Sequence, residues 1–152
     1  MIPRLILFLL LNFGALAVGA IFTGKGVPSD WYASLQKAPW TPPGWMFGFA
    51  WTTIMICFSV FMALLWPKTE QTTFLVGWFV LQWILNVAWN PAFFHFHYVG
   101  LALIIIILLT AVIGYMLWHA KPLLKSYTLF LLPYFVWLLI ATSLNAYILI
   151  KN

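Results

Sequence analysis

Apolar residues run through this chain in long blocks, with almost no polar alternation inside them. Each block is close to the roughly 20 residues an α-helix needs to cross about 30 Å of hydrocarbon, whereas a membrane barrel would show short alternating strands. Charges, prolines and glycines divide the pattern into five predicted spans, at about 4–23, 45–66, 72–93, 97–119 and 125–150. The connections PKTEQT, HFHY and HAKPLLK are brief, which makes successive spans antiparallel neighbours. The predicted fold is an all-α integral membrane protein: a five-transmembrane-helix bundle forming one domain over residues 1–152.

The remaining connection, about 24–44, is long and patterned differently. Ser29 and Asp30 precede WYASLQK, an N-cap followed by a short helix. Pro39, Pro42 and Pro43 then fix φ and forbid ordinary helix up to the second span. The resulting stretch LQKAPWTPPGWMFGFAW is semi-rigid and rich in tryptophan, suited to headgroup depth. Two roles fit it: a lid over a pocket, or an interfacial anchor.

Polar and small residues within the spans mark faces that look inward. In the first span Ala15, Gly19 and Thr23 recur every four residues beside Asn12, a surface that lets helix backbones approach closely. In the third, Gln82, Asn86 and Asn90 repeat at the same spacing, with Trp78 extending the stripe and Trp89 adjoining it. Amides in hydrocarbon need partners, so this face meets other helices or a cavity. Asn90, next to Pro91 near the helix end, is the better ligand candidate of the three. In the fifth span Tyr134, Trp137, Ala141 and Asn145 share a face, where Ala141 amid bulky neighbours serves either helix packing or the floor of a pocket for a flat ligand.

Composition agrees with the pattern: 65% of residues are hydrophobic and 6% charged, with a mean hydropathy of +1.04. That leaves too little polar surface to coat a soluble domain. The net charge of +5 comes from seven Lys/Arg against Asp30 and Glu70, all outside the apolar blocks, as expected for headgroup anchoring and not for nucleic-acid binding. Arg4, Lys68, Lys121 and Lys125 fall on the N-terminal side of the predicted bundle and Lys25, Lys37 and Lys151 on the other, a bias favouring a cytoplasmic N-terminus. Residues 1–23 lack a convincing cleavage site and are read as the first span, not a signal peptide. The single Cys57 lies mid-span and is assigned to packing.

Conventional catalytic constellations are missing from the pattern. Asp30 and Glu70 fall in connections on opposite faces and cannot act as an acid/base pair. No intramembrane His or Lys is placed to activate a serine or threonine. His95 and His97 stand two residues apart without a third ligand, and His119 sits at a helix end, so no metal site and no required cofactor are expected.

Three long motifs carry a resemblance: WYASLQKAPWTPPGWMFGFAW at 31–51, LNVAWNPAFF at 85–94 and LPYFVWLLIATSLNAY at 132–147. Together they are similar to the translocator protein family, also called the tryptophan-rich sensory protein or peripheral-type benzodiazepine receptor family. The resemblance covers nearly the whole chain. It implies five transmembrane helices around a pocket beneath the first loop, a homodimer, and binding of porphyrins such as protoporphyrin IX or haem, of isoquinoline carboxamides and of benzodiazepines. It also implies a pocket lined by Trp51, with Trp31 and Tyr32 above it, Asn90 and Phe93 on one wall and Trp137 and Ala141 on another. Asn86, on the same face as Asn90, joins the ligand-binding candidates. LNAYILIK fits the loose cholesterol-recognition pattern L-x(2)-Y-x(3)-K, and the WNP at 89–91 has the look of a bacterial member in the cell membrane.

Three functions follow from these residues. A tetrapyrrole-binding sensor or carrier ranks first, because a Trp, Tyr and Phe pocket offers stacking surfaces to a flat ligand. Light-dependent porphyrin degradation ranks second, with the ligand as photosensitiser and Trp31 and Trp137 as candidate redox participants. Regulation of a partner protein through small-residue helix faces ranks third.

Overall fold

A computed structural model describes residues 1–152 and contains helices and no strands. Six α-helices follow in order: α1 (Ile2–Gly26), α2 (Asp30–Ser34), α3 (Gly44–Leu65), α4 (Thr72–Asn90), α5 (Val99–Leu124) and α6 (Leu132–Lys151). Four stretches are long and apolar enough to cross a membrane: Ile2–Gly26, Gly44–Lys68, Thr72–His95 and Val99–Lys151. Large apolar side chains such as Leu10, Ile21, Ile104 and Leu139 are exposed on the outside of the bundle, the surface a hydrocarbon solvent would cover.

The fourth of these stretches is 53 residues long and doubles back on itself. Pro122 removes a donor near the end of α5, and Lys125 takes the left-handed region at φ 50°, which an ordinary helix cannot continue through. A 3-10 segment, Lys125–Leu131, then leads into α6. The return leg is antiparallel to α5: the Thr110 and Thr142 hydroxyls lie 3.3 Å apart, and Asn145 Nδ2 donates to the Val99 carbonyl at 3.0 Å.

Helix ends differ from the sequence expectation where local chemistry intervenes. α1 runs on to Gly26, past the expected end at 23, and the last helix proper begins at Leu132, not 125. At the end of α4, Pro91 has no N–H to give, and the ladder widens into a π-helical turn over Pro91–His95 closed by Phe96 N donating to the Pro91 carbonyl at 2.9 Å. The short helix is as expected in kind but ends at Ser34: Ser29 Oγ caps it by accepting from Tyr32 N at 3.2 Å.

The core lies between α3, α5 and α6, where Phe58, Phe61, Met62, Ile113, Leu131 and Leu138 are fully enclosed. α1 joins it through Phe8, edge-on to Phe79 at 5.2 Å, and through Asn12 Nδ2, which donates to Ser59 Oγ at 2.9 Å. Towards the other end, α1 and the α4 end approach so closely that two glycines are required. A Cβ on Gly19 would lie 2.8 Å from Asn90 Nδ2, and one on Gly26 would lie 2.3 Å from a Phe94 ring carbon.

Candidate functional site

Beneath residues 27–43, α1, α3, α4, α5 and α6 enclose a cavity of about 710 Å³. Its size falls in the range of small-molecule sites, and its walls are predominantly apolar. Aromatic surfaces come from several directions: Phe47 and Trp51 from α3, Trp89 from α4, Phe93 from the π turn and Trp137 from α6. Trp137 meets Phe47 edge-on at 5.4 Å, and Trp51 meets Tyr134 edge-on at 6.0 Å. Trp89 stacks on Phe93 at 5.1 Å with planes 16° apart. Ala15, Gly19 and Ala141 keep parts of the wall low between these rings.

The polar groups in the wall divide into those held by the protein and those left free. Asn90 is held twice: its Oδ1 accepts from Thr23 Oγ1 at 3.0 Å and its Nδ2 donates to the Asn86 carbonyl at 3.1 Å. Asn145 Oδ1 accepts from Trp89 Nε1 at 3.0 Å, which fixes the indole against the cavity. Asn86 also lines the cavity, but its side-chain amide makes no hydrogen bond to the protein. An amide largely removed from solvent and free of protein partners retains its full donor and acceptor capacity for a ligand.

Tyr32 and Lys37 close the site from above. Lys37, the single charged residue in the lining, donates through Nζ to the Tyr32 carbonyl at 2.7 Å and sits 4.4 Å over the Tyr32 ring. Burial pushes the Tyr32 phenol above its ordinary value. The segment is fastened at both flanks. On one, Tyr32 packs on Phe94 at 5.6 Å and Trp31 stacks on His97 at 3.9 Å. On the other, Trp40 Nε1 donates to Ser143 Oγ at 3.1 Å, while Gln36 N donates to Asn152 Oδ1 at 2.9 Å and Asn152 Nδ2 donates back to the Gln36 carbonyl at 3.3 Å.

Of the residues singled out in the sequence, Tyr32, Trp51, Asn86, Asn90, Phe93, Trp137 and Ala141 all line this one cavity. Trp31 does not; its ring lies outside the lining, between His97 and Phe93. Gln82 turns instead into the core, where its Oε1 accepts from Tyr134 Oη at 3.1 Å. Trp78 also leaves the amide stripe and stacks on Tyr115 at 4.6 Å. Among the aromatic lining residues, sequence reasoning did not single out Phe47, Phe94 or, as a wall residue in its own right, Trp89. For Trp89 the available signal was its place beside Asn90, three residues from Asn86.

The sequence profile of the TspO/MBR family matches residues 6–150. The chain is 35% identical over 141 residues to the tryptophan-rich protein TspO of Archaeoglobus fulgidus, a match covering 88% of this chain and 87% of that one. It is 34% identical over 135 residues to the translocator protein of Homo sapiens, covering 84% and 78%. It is 31% identical over 134 residues to the protein CrtK of Rhodobacter capsulatus, covering 85% and 80%.

Proposed function

We propose, because the chain belongs to the TspO/MBR family, that this multi-pass integral membrane protein is a receptor, sensor or carrier for porphyrins and for drug-like ligands of the isoquinoline-carboxamide and benzodiazepine types. The observation that carries the proposal is the cavity of about 710 Å³ walled by Trp51, Trp89, Phe93 and Trp137. A flat macrocycle gains stacking and apolar burial against such rings. Asn86 then offers the free amide, and Lys37 at the top suits a ligand carboxylate. The polypeptide would cross the membrane five times, the stretch from Val99 to Lys151 contributing two antiparallel legs, with residues 27–43 as the long first loop over the site. A homodimer in a bacterial cell membrane belongs to the same reading.

Titration with protoporphyrin IX, followed by quenching of tryptophan fluorescence, tests it. Binding should saturate, and Trp51→Ala should weaken it by about tenfold, the value of one lost aromatic contact of roughly 1.4 kcal/mol. An unchanged affinity in that variant would remove the cavity from the proposal. Light scattering of the detergent-solubilised protein at the mass of one chain would remove the dimer.

A further inference from the structure

A second concavity opens at the opposite end of the bundle, where α3 passes into α4 and α5 ends. It has a volume of about 540 Å³ and is lined by Lys68, Thr69, Glu70 and Gln71 on one side and Trp118, His119 and Lys121 on the other. None of these residues lines the cavity under the loop. Two lysines face one carboxylate, so the chamber is cationic, and Glu70 is one of only two carboxylates in the whole chain.

The chamber is not only polar. Thr69 and His119 are shared with a shallow apolar notch of about 20 Å³, too small for a chain to enter, whose rim between α4 and α5 is formed by Phe74, Trp78 and Tyr115, with Phe74 exposed on the outer surface. The aromatic groups along that rim are ordered as a column: Trp78 stacks on Tyr115 at 4.6 Å, and Tyr115 stacks on His119 at 5.7 Å with planes 13° apart. Trp118, 73% exposed, stands beside the chamber at the depth where tryptophan favours the membrane interface.

A cationic chamber bordered by an apolar aromatic face on the bundle's outer surface has the two-part chemistry of an amphiphile. We propose that this cleft binds an anionic phospholipid. Lys68 and Lys121 hold the phosphate from the two sides of the chamber, Thr69 and Gln71 offer uncharged hydrogen-bonding groups, and the first methylenes of one acyl chain lie along Phe74, Trp78 and Tyr115. A free phosphate would use the lysines but leave the exposed aromatic edge beside them, Phe74 and Trp118, uncovered, which is why the lipid is the occupant assigned. The site is separate from the porphyrin cavity, so its failure leaves that cavity's function standing.

Native mass spectrometry of the full chain in detergent, titrated with phosphatidylglycerol or phosphatidylcholine, tests the proposal. The wild type should retain phosphatidylglycerol in preference to phosphatidylcholine. Lys68→Gln with Lys121→Gln should cut phosphatidylglycerol retention by roughly thirtyfold, since each lysine near a membrane surface contributes about 1 kcal/mol. The control pair Lys25→Gln with Lys151→Gln removes equal charge at the other end and should leave retention unchanged. Equal retention of both lipids, equal loss in both double variants, or displacement of the lipid by millimolar inorganic phosphate would each overturn the assignment. Protoporphyrin quenching measured on the same Lys68/Lys121 double variant should match the wild type and so establishes that the variant is folded.

Discussion

Gln82, Asn86 and Asn90 are spaced four apart on one helix, yet they meet different surroundings. Four residues overshoot a full α-helical turn by about 40°, so a stripe drawn at that spacing slowly rotates about the axis. By Trp78 the rotation relative to Asn90 has accumulated to about 120°, and the stripe has left the cavity for the contact with Tyr115. Amide spacing in the sequence was therefore enough to mark an inward helix face, while the division between core and ligand wall required the neighbouring helices. Gln82 is satisfied by Tyr134 and serves packing; Asn86 has no protein partner and serves the cavity. Asn86→Ala should lower protoporphyrin affinity by about fivefold in a fluorescence titration, the equivalent of one net hydrogen bond of about 1 kcal/mol, with little change in thermal stability. Tyr32 gives a pH test at the same scale. Its phenol is raised by burial from the ordinary 10.0, so the neutral form is favoured in the folded protein. The stabilisation is complete below the ordinary value and is lost as pH climbs through the raised one. Absorbance at the tyrosinate band should show a phenol titrating above the ordinary 10.0 that Tyr32→Phe removes.

At the scale of elements, the connection over the cavity is a strap fastened at two ends by different chemistry. The α4 flank holds it with rings, Trp31 on His97 and Tyr32 on Phe94, whereas the α6 flank holds it with hydrogen bonds to Ser143 and Asn152. Such bonds at an exposed edge contribute modestly, so the α6 flank is the one expected to open first. Trp40→Phe removes the indole donor to Ser143 while keeping an aromatic ring against Tyr147, and it should speed protoporphyrin dissociation several-fold with a smaller effect on association. Hydrogen exchange should show residues 31–48 gaining protection when protoporphyrin binds; an unchanged pattern would make the segment an anchor and not a lid. The Ser29 cap and the short helix that follows it were legible in advance. The position of Trp31 was not legible, because it depends on His97 adopting a left-handed φ of 57° that no spacing or composition signals.

For the whole molecule, bilayer thickness is the reason the helical blocks could be read from the sequence: hydrocarbon sets the length of an apolar run before any tertiary contact is known. The ends of those runs were less legible, since polar residues such as Lys121 and Lys125 mark an interface and not the last hydrogen bond of a helix. Pro122 sits within α5, and the break comes only at Lys125. Cations stand at both ends of the bundle, and a cytoplasmic N-terminus is what the sequence reading of their distribution expects. With Cys57 replaced by serine, Lys25→Cys should react with a membrane-impermeant maleimide from outside intact cells, and Lys121→Cys should react only after permeabilisation. Labelling of both from the same side would contradict the five-crossing arrangement.

The contact between α1 and the end of α4 has a consequence for how such sequences change over time. Gly19 faces Asn90, and Gly26 faces Phe94, with no room for one extra carbon at either glycine. Gly26→Ala alone should cost about 1–3 kcal/mol of overpacking and lower the melting temperature, and Gly26→Ala with Phe94→Ala, which removes the clashing ring carbons though not the Cβ, should cost less than the sum of the two single changes. Positions 19 and 90, and likewise 26 and 94, are thereby bound to one another's mutational history. Among related chains, a larger residue at one member of a pair should arrive together with a smaller one at the other.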